Sequence, residues 1–374
     1  LGVYANKKVD ITAGLLDINE TSSGNNVTGI LAQDGGEVAI HGDVRIRSYH
    51  TGDGASKGIN LYNKGAKVTI DGELDMGGKE GSGEGIYGVR SKEKGGYGSV
   101  KSYQAVGVNI YDRNGAELVV KGDAYIGVKG TGVDMRGSAN NKVTLAGGKI
   151  ITPMEGGVYK AASIAAGHFT MGMNEARNAV NGKAVEIAGN IYRGDDADIV
   201  IGLGTAESSW SGVVYDHNSR GEGTGVIKLY LANGGTWNFD NVSYADNINY
   251  VPVARLVGGS DMEHAGVLFP KQQEDLRITR FEGNLAIVYP HDAMAPQFVN
   301  GGDVHILGAE ADSHVRMITD SDGLNTASGE AAEKEKVKNT LNALAGKLYY
   351  ENYHAGERNL TGTVKIAEGI VSGS

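Results

Sequence analysis

Val38-Ala39-Ile40-His41-Gly42-Asp43-Val44-Arg45-Ile46 is followed by Val68-Thr69-Ile70-Asp71-Gly72-Glu73-Leu74-Asp75-Met76, and then by Leu118-Val119-Val120-Lys121-Gly122-Asp123-Ala124-Tyr125-Ile126. The three blocks share one plan: alternating apolar residues, a central glycine, then a second alternating run. Weaker copies begin at Val9, Val143 and Val185. A further apolar pair after glycine recurs as Gly29-Ile30-Leu31, Gly58-Ile59-Asn60-Leu61, Gly107-Val108-Asn109-Ile110 and Gly132-Val133-Asp134-Met135. Such self-similarity marks a solenoid. The starts at Val38, Val68, Leu118 and Val143 lie 30, 50 and 25 residues apart, so a constant strand unit carries loops of variable length. Solenoids of this kind present surfaces more often than they enclose pockets.

Within a block the residues of one parity, such as 68, 70, 74 and 76, are apolar, and most of those between are Thr, Asp, Glu, Lys or Arg. That alternation describes a strand with one buried and one wet face. Gly42, Gly72 and Gly122 share the inward parity and read as corners where the strand bends to the next face. Three short strands per turn predict an all-β fold, a parallel β-helix whose backbone groups pair with the coils above and below. Sandwiches and barrels need hairpin turns at regular spacing, which are scarce here. Coils are expected over residues 1 to about 318, with Ile40, Ile70, Val120 and Leu145 stacked in the core.

Departures from the pattern divide the chain. At about 77–105 it lapses into Gly, Lys, Ser and Tyr, an excursion with a partial strand at Gly85-Ile86-Tyr87-Gly88-Val89. Residues 1–207 are the coils that carry this excursion. From Ser208 the texture changes, with Trp210, Trp237 and longer strands such as Val226-Ile227-Lys228-Leu229-Tyr230-Leu231, defining a second region at 208–318. In 319–374, Val337, Leu341, Leu344 and Leu348 form one apolar stripe, which predicts a helix of about five turns over 330–350. Strand pattern returns at Leu360-Thr361-Gly362-Thr363-Val364-Lys365-Ile366.

Of 374 residues 59 are glycine, 5 proline and none cysteine. Glycine without a Gly-X-Y period is not collagen, and regular Val/Ile alternation argues against disorder. The lack of cysteine excludes disulfides and thiolate metal sites. It also suits a surface protein that crosses an oxidising periplasm unfolded. A net charge of −10 argues against broad nucleic-acid binding. No apolar run reaches the roughly 18 residues of a membrane helix. No charged n-region with an apolar h-region opens the chain, so Leu1 reads as the start of a mature or recombinant fragment.

The stretch Ser208-Ser209-Trp210-Ser211-Gly212-Val213, followed by Ile227-Lys228-Leu229-Tyr230-Leu231-Ala232-Asn233-Gly234-Gly235-Thr236-Trp237-Asn238-Phe239, resembles the passenger domains of bacterial autotransporters, the pertactin-like β-helix. The shape of the match is S-x-W-x-G, a spacer, and alternating apolar residues into N-G-x-x-W. Both tryptophans of the chain fall on it. In that family the stretch lies toward the C-terminal end of a right-handed parallel β-helix, the handedness the resemblance implies here, in a region credited with nucleating folding after secretion. The family's C-terminal β-barrel is absent from this chain, and the helix at 330–350 is not part of the common pattern. The resemblance implies export through the periplasm to the bacterial cell surface or outer membrane, with membrane contact only through such a barrel, or release outside the cell. It implies an adhesin, with a host or bacterial surface glycan or a matrix protein as partner and no nucleic acid.

Many passengers are proteases or esterases, so catalytic signatures matter. The Gly-Asp-Ser-Gly block of the serine-protease passengers is missing. Gly54-Ala55-Ser56-Lys57-Gly58 has the Gly-x-Ser-x-Gly spacing, but a nucleophile elbow needs a strand before and a helix after. Here the strand Gly58-Ile59-Asn60-Leu61 follows, and the match reads as chance. Asp195-Asp196-Ala197-Asp198 is the densest acidic cluster, open to reading as a solvated turn, a weak cation site or a carboxylate pair for acid/base work. Asp320-Ser321-Asp322-Gly323 places its glycine two positions early for an EF-hand loop. The nine histidines are scattered without metal-site spacing. No catalytic residue, metal or cofactor is assigned, and an enzyme is not expected. The alternative is a carbohydrate-active β-helix enzyme, a polysaccharide lyase or hydrolase, which a groove lined by Asp with Arg or Lys would favour. Tyrosine outnumbers phenylalanine 18 to 5, and tyrosine suits sugar or protein recognition. The excursion is basic within an acidic chain. It is a solvated loop or the ligand-binding segment, the latter through Arg90, Lys92, Lys94 and Lys101 with Tyr87, Tyr97 and Tyr103.

Overall fold

Alternation broken by a corner glycine folds as the sequence predicts, into an all-β solenoid of parallel stacked coils. The computed structural model describes residues 1–79, 85–90, 102–103, 105–152, 159–216, 224–242, 249–290, 299–320, 330–350, 353–354, 365–367 and 370–373. The chain divides into two units by packing: residues 1–202, 210–227 and 241–249 form the first, and 203–209, 228–240 and 250–374 the second.

The first unit has three faces. Strands Val3–Ala5, Val27–Gln33, Ser56–Tyr62, Ala105–Tyr111 and Gly130–Arg136 pair in parallel, in that order, on the first face. The second face stacks residues 8–12, 37–41, 67–70, 117–120, 142–145 and 168–171. Longer strands such as Lys8–Ser22 and Glu117–Gly127 run from the second face onto the third, and their register shifts at the corner.

Inward side chains form ladders, one member per coil. Ile11, Ile40, Ile70, Val120, Leu145, Met171 and Ile201 are successive register partners. The expected quartet within it, Ile40, Ile70, Val120 and Leu145, is at most 1% exposed. Ile30, Ile59, Val108, Val133, Ala162 and Ile191 form the ladder of the first face. Each such large side chain, fully buried, contributes about 1.5–3 kcal/mol.

The corner glycines stack as well. Gly72 N donates to Gly42 O at 3.0 Å and Gly122 N to Gly72 O at 3.1 Å. A Cβ on Gly72 or Gly122 would overlap the carbonyl of the glycine one coil away. Close approach of backbones, not a turn type, therefore requires glycine here. Outside, Lys8, Glu37, Lys67, Glu117, Lys142, His168 and Asp198 are successive register partners, a row of largely alternating charge that helps specify the stacking.

The excursion at about 77–105 leaves the stack without disturbing it, since Val108 returns beside Ile59 and Leu118 beside Val68. The partial strand is present as Ile86–Arg90, running parallel to Ser48 and Tyr49, with Ile86 fully buried. A second interruption, residues 172–184 between Met171 and Val185, carries no repeat signal in the sequence; an isolated bridge joins Met173 to Val180 within it. Ionic groups are also buried in this unit: Arg193 donates to Asp216 Oδ2 at 2.8 Å and to Gly225 O at 2.6 Å. Trp210 is fully buried and donates from Nε1 to Gly189 O at 3.0 Å.

The second unit, taken by itself, is also built of parallel coils, with Thr236–Asn238, Gly266–Phe269, Asn284–Tyr289 and His314–Asp320 stacked in order. Trp237 is fully buried and packs edge-on against Phe239 at 5.4 Å. The helix is shorter than expected, Glu330–Ala345. Leu344 is buried, but Leu348 lies beyond the helix, on strand Leu348–Tyr350 in register with Val304. The cause is the ladder bonding that extended residues gain on the edge strand Val304–Ile306. Of the expected last strand, residues 360–364 lie outside the described residues, while Lys365–Ala367 pairs with Ile370–Gly373, which in turn pairs with His314–Asp320. That pairing is antiparallel.

Ile70→Asp places a carboxylate inside the ladder with no partner, and should destabilise by several kcal/mol. Thermal unfolding followed by circular dichroism checks this; a melting temperature within a degree or two of the parent would contradict the ladder.

Candidate functional site

Of the seven residues assigned from sequence, Lys92, Lys94, Tyr97 and Lys101 lie outside the described residues. Tyr87 is half-buried and faces its register partner Tyr49. Arg90 and Tyr103 are placed by backbone pairing, Arg90 opposite Ser102 and Val89 opposite Tyr103. Lys79, the nearby cation, is held 2.7 Å from Glu73 Oε1.

Coil stacking turns recurring outward positions into columns about 4.8 Å per step. On the first face Tyr62 and Tyr111 are register partners with ring centroids 6.0 Å apart, 45% and 38% exposed. Arg136 follows in the next coil and holds its guanidinium 5.2 Å over the Tyr111 ring. At the other end Gln33, the partner of Tyr62, donates from Nε2 to Tyr4 Oη at 2.9 Å. Beside this column runs a polar row, in which Asn109 Nδ2 donates to Asn60 Oδ1 at 2.8 Å and Asp134 follows Asn109. A third row carries Lys57, Val106, Thr131 and Lys160.

Charge on this face is unevenly matched. Asp134 Oδ1 lies 3.4 Å from Arg136 Nε. Lys57 and Lys160 are half-buried, and neither has an ion-pair partner among the described residues. Burial pulls the Lys57 ammonium below its ordinary pKa, and the Arg136 charge adds to this while Asp134 opposes it. Burial does the same to Lys160, again against Asp134. Burial raises Asp134, with Arg136, Lys160 and Lys57 opposing.

On the second face, residues 172–184 flank a cleft of about 810 Å³ lined by Glu117, Lys121, Lys142, His168, Glu175 and Arg177, among others. The interruption is shaped by its asparagines. Asn174 Oδ1 accepts from the backbone N–H of Asn178 at 3.0 Å, and Asn181 Nδ2 donates to Ala146 O at 2.7 Å. Arg177, in the left-handed region at φ 57°, reaches back to donate to Thr170 Oγ1 at 2.7 Å and to Asp198 Oδ2 at 2.8 Å. His168 Nδ1 lies 2.8 Å from the same Asp198 oxygen. Burial alone would raise the Asp198 pKa, but the Arg177 guanidinium and then His168 outweigh it and hold the carboxylate low. The acidic cluster thus divides: Asp195 and Asp196 are exposed at a coil corner, while Asp198 joins His168. The signal for this cleft was Gly172-Met173-Asn174 and Asn181-Gly182, turn-forming residues bracketing a break in the repeat.

Ser56 is fully buried and donates to Ser48 O at 2.7 Å. In the second unit Asp275, Asp303 and His305 bring ligand atoms within 4.8 Å of one another, with Lys347 Nζ 4.0 Å from Asp303 supplying positive charge.

Elsewhere on the second face His41 Nδ1 lies 2.7 Å from Asp71 Oδ2, and Lys121 Nζ 3.0 Å from Asp71 Oδ1. The Asp71 hydrogen bond raises His41 above 6.5, and the His41 bond, followed by that of Lys121, lowers Asp71 below 3.8. The sign follows from linkage. Protonated His41 adds stability that is complete below 6.5 and lost as pH rises through its raised pKa; Asp71 adds stability above 3.8 that is lost as pH falls through its lowered one. The pair therefore acts between those two folded-state values. Imidazole NMR should show His41 titrating above 6.5 and returning toward it in Asp71→Asn. An unchanged His41 in that variant would contradict the pairing.

Compared with family models, curated proteins and solved structures, the chain matches nothing.

Proposed function

We propose that the chain is the passenger of a bacterial autotransporter and acts at the cell surface as an adhesin for a glycan or a matrix protein. The observation that carries adhesion is the column formed by the exposed Tyr62 and Tyr111 on the outside of the coils, with exposed Tyr4 on the neighbouring row. Exposed aromatic rings at coil spacing offer apolar area with a hydroxyl handle, the requirement for stacking on sugars or on peptide side chains. The passenger assignment is supported by the solenoid and by the tryptophan motif at 208–239, whose Trp210 and Trp237 are fully buried. A chain without cysteine also suits export through an oxidising compartment. In this reading membrane attachment comes from a β-barrel outside these residues.

Binding arrays of glycans and matrix proteins test the reading. The chain should capture at least one class, and Tyr62→Ala/Tyr111→Ala should weaken capture about tenfold or more, two rings at about 1 kcal/mol each. Thermal unfolding of that variant should stay near the parent's because both rings are exposed. Capture of nothing on the arrays would defeat the proposal.

The cleft favours a second reading, a carbohydrate-active enzyme. A carboxylate only accepts, so His168 Nδ1 donates to Asp198, and neutral His168 keeps Nε2 as an acceptor able to serve as a base. Lys121, Lys142 and Arg177 supply positive charge where a uronate carboxylate would sit. Under this reading the parent chain degrades polygalacturonate or another polyuronate, and His168→Ala lowers turnover at least a hundredfold, the low end for a general base. Background rates from the parent chain would dismiss it.

A further inference from the structure

The first face combines features that a neutral ligand would not explain. Lys57, Arg136 and Lys160 gather around a single carboxylate, Asp134, in a chain whose net charge is −10. Half-buried ammonium groups are ordinarily paired, because burial penalises an unmatched charge. Here Lys57 and Lys160 have no ion-pair partner among the described residues. They stand on one row of the face, with Val106 and Thr131 between them in the intervening coils. The tyrosine column runs along the same coils, closed by Arg136. Between the two rows lie the Asn60 and Asn109 amides, which suit hydroxyl groups.

We infer that this face binds an anionic polysaccharide laid across the coils, its sugar rings on Tyr62 and Tyr111 and its acid groups between Lys57, Arg136 and Lys160. The inference rests on the adhesin reading only in taking the ligand to be a glycan. A polymer is favoured over a single sugar because the rows repeat with the coil. An extended glycan repeats its ring at nearly the same step, and one chain can engage several coils at once. Carboxylate and sulfate groups share the required chemistry, charge-assisted acceptance from guanidinium and ammonium.

The test measures binding by isothermal titration, at low and at physiological salt, to polygalacturonate, to dextran sulfate, to neutral dextran and to a single-stranded DNA oligonucleotide. The parent chain should bind polygalacturonate or dextran sulfate, more weakly as salt rises, and should not bind neutral dextran. Which of the two anionic polymers binds identifies carboxylate or sulfate as the recognised group. Lys57→Gln/Lys160→Gln should lose about tenfold or more in affinity, the equivalent of 1.4 kcal/mol. Its thermal unfolding should stay within a few degrees of the parent's, since the substitution removes half-buried charge but also the contact of Lys160 over the Tyr192 ring. Lys67→Gln/Lys149→Gln removes the same charge from the other faces and should keep the affinity.

Binding to neither anionic polymer overturns the inference, as does binding that Lys57→Gln/Lys160→Gln retains. DNA bound as tightly as the polysaccharides overturns it too. Capture of a neutral glycan or matrix protein that depends on Tyr62 and Tyr111 alone would remove the anionic assignment and leave the adhesin reading standing. Capture of nothing at all would remove both.

Discussion

Everything in this chain depends on one coil lying on the next in fixed register. A single coil cannot bury its apolar face, and its backbone groups find partners only in the coils on either side. Stacking satisfies both needs together, with Ile40 on Ile70, Ile70 on Val120 and Val120 on Leu145. The corner sets the tolerance. Gly42, Gly72 and Gly122 bring backbones close enough to hydrogen-bond directly, and a side chain at either of the latter two would push the coils apart. Slip by one residue would turn the apolar ladder outward, so register is strongly specified.

The same register creates the outer faces. A residue type recurring at an outward position becomes a column without any further device, which is how Tyr62 and Tyr111 come to lie ring beside ring. Insertions are accommodated between coils and leave the columns intact. The excursion at about 77–105 lengthens one turn, yet Tyr111 still meets Tyr62. The shorter interruption at 172–184 adds a wall to the second face and places Arg177 against Asp198. Recognition surfaces can therefore change while the core stays constant, as expected where loops ride on a repetitive scaffold.

The inward half of this organisation was legible in the sequence because alternation and corner glycines are local signals. Residues 68, 70, 74 and 76 announce a buried face by themselves. The outward half was less so. Tyr62 and Tyr111 lie 49 positions apart, and only the register across the excursion makes them neighbours. Lys57 read merely as part of a chance Gly-x-Ser-x-Gly spacing, and its half-burial depends on what stacks around it. The cleft was missed because 172–184 has no periodicity to detect. The helix was found but overrun, since Leu348 fits the helical stripe equally well as the strand that captures it. His50 shares the inward parity of Val44 and Ile46 and is only 1% exposed, but alternation alone gives no sign that neither ring nitrogen is hydrogen-bonded among the described residues.

Register across the excursion is the claim on which the core ladder and the tyrosine column both stand, and it can be measured directly. The chain has no cysteine, so an introduced pair reports without background. Lys67 and Glu117 are outward register partners separated by 50 positions in sequence. Neighbouring strands about 4.8 Å apart fall within the Cα separation a disulfide accepts. Lys67→Cys/Glu117→Cys should therefore cross-link on mild oxidation, seen as a mobility shift on a non-reducing gel, while Lys67→Cys/Val119→Cys, displaced two residues along the same face, should not. Failure of the first pair to cross-link, or equal cross-linking by the second, would contradict the stacking.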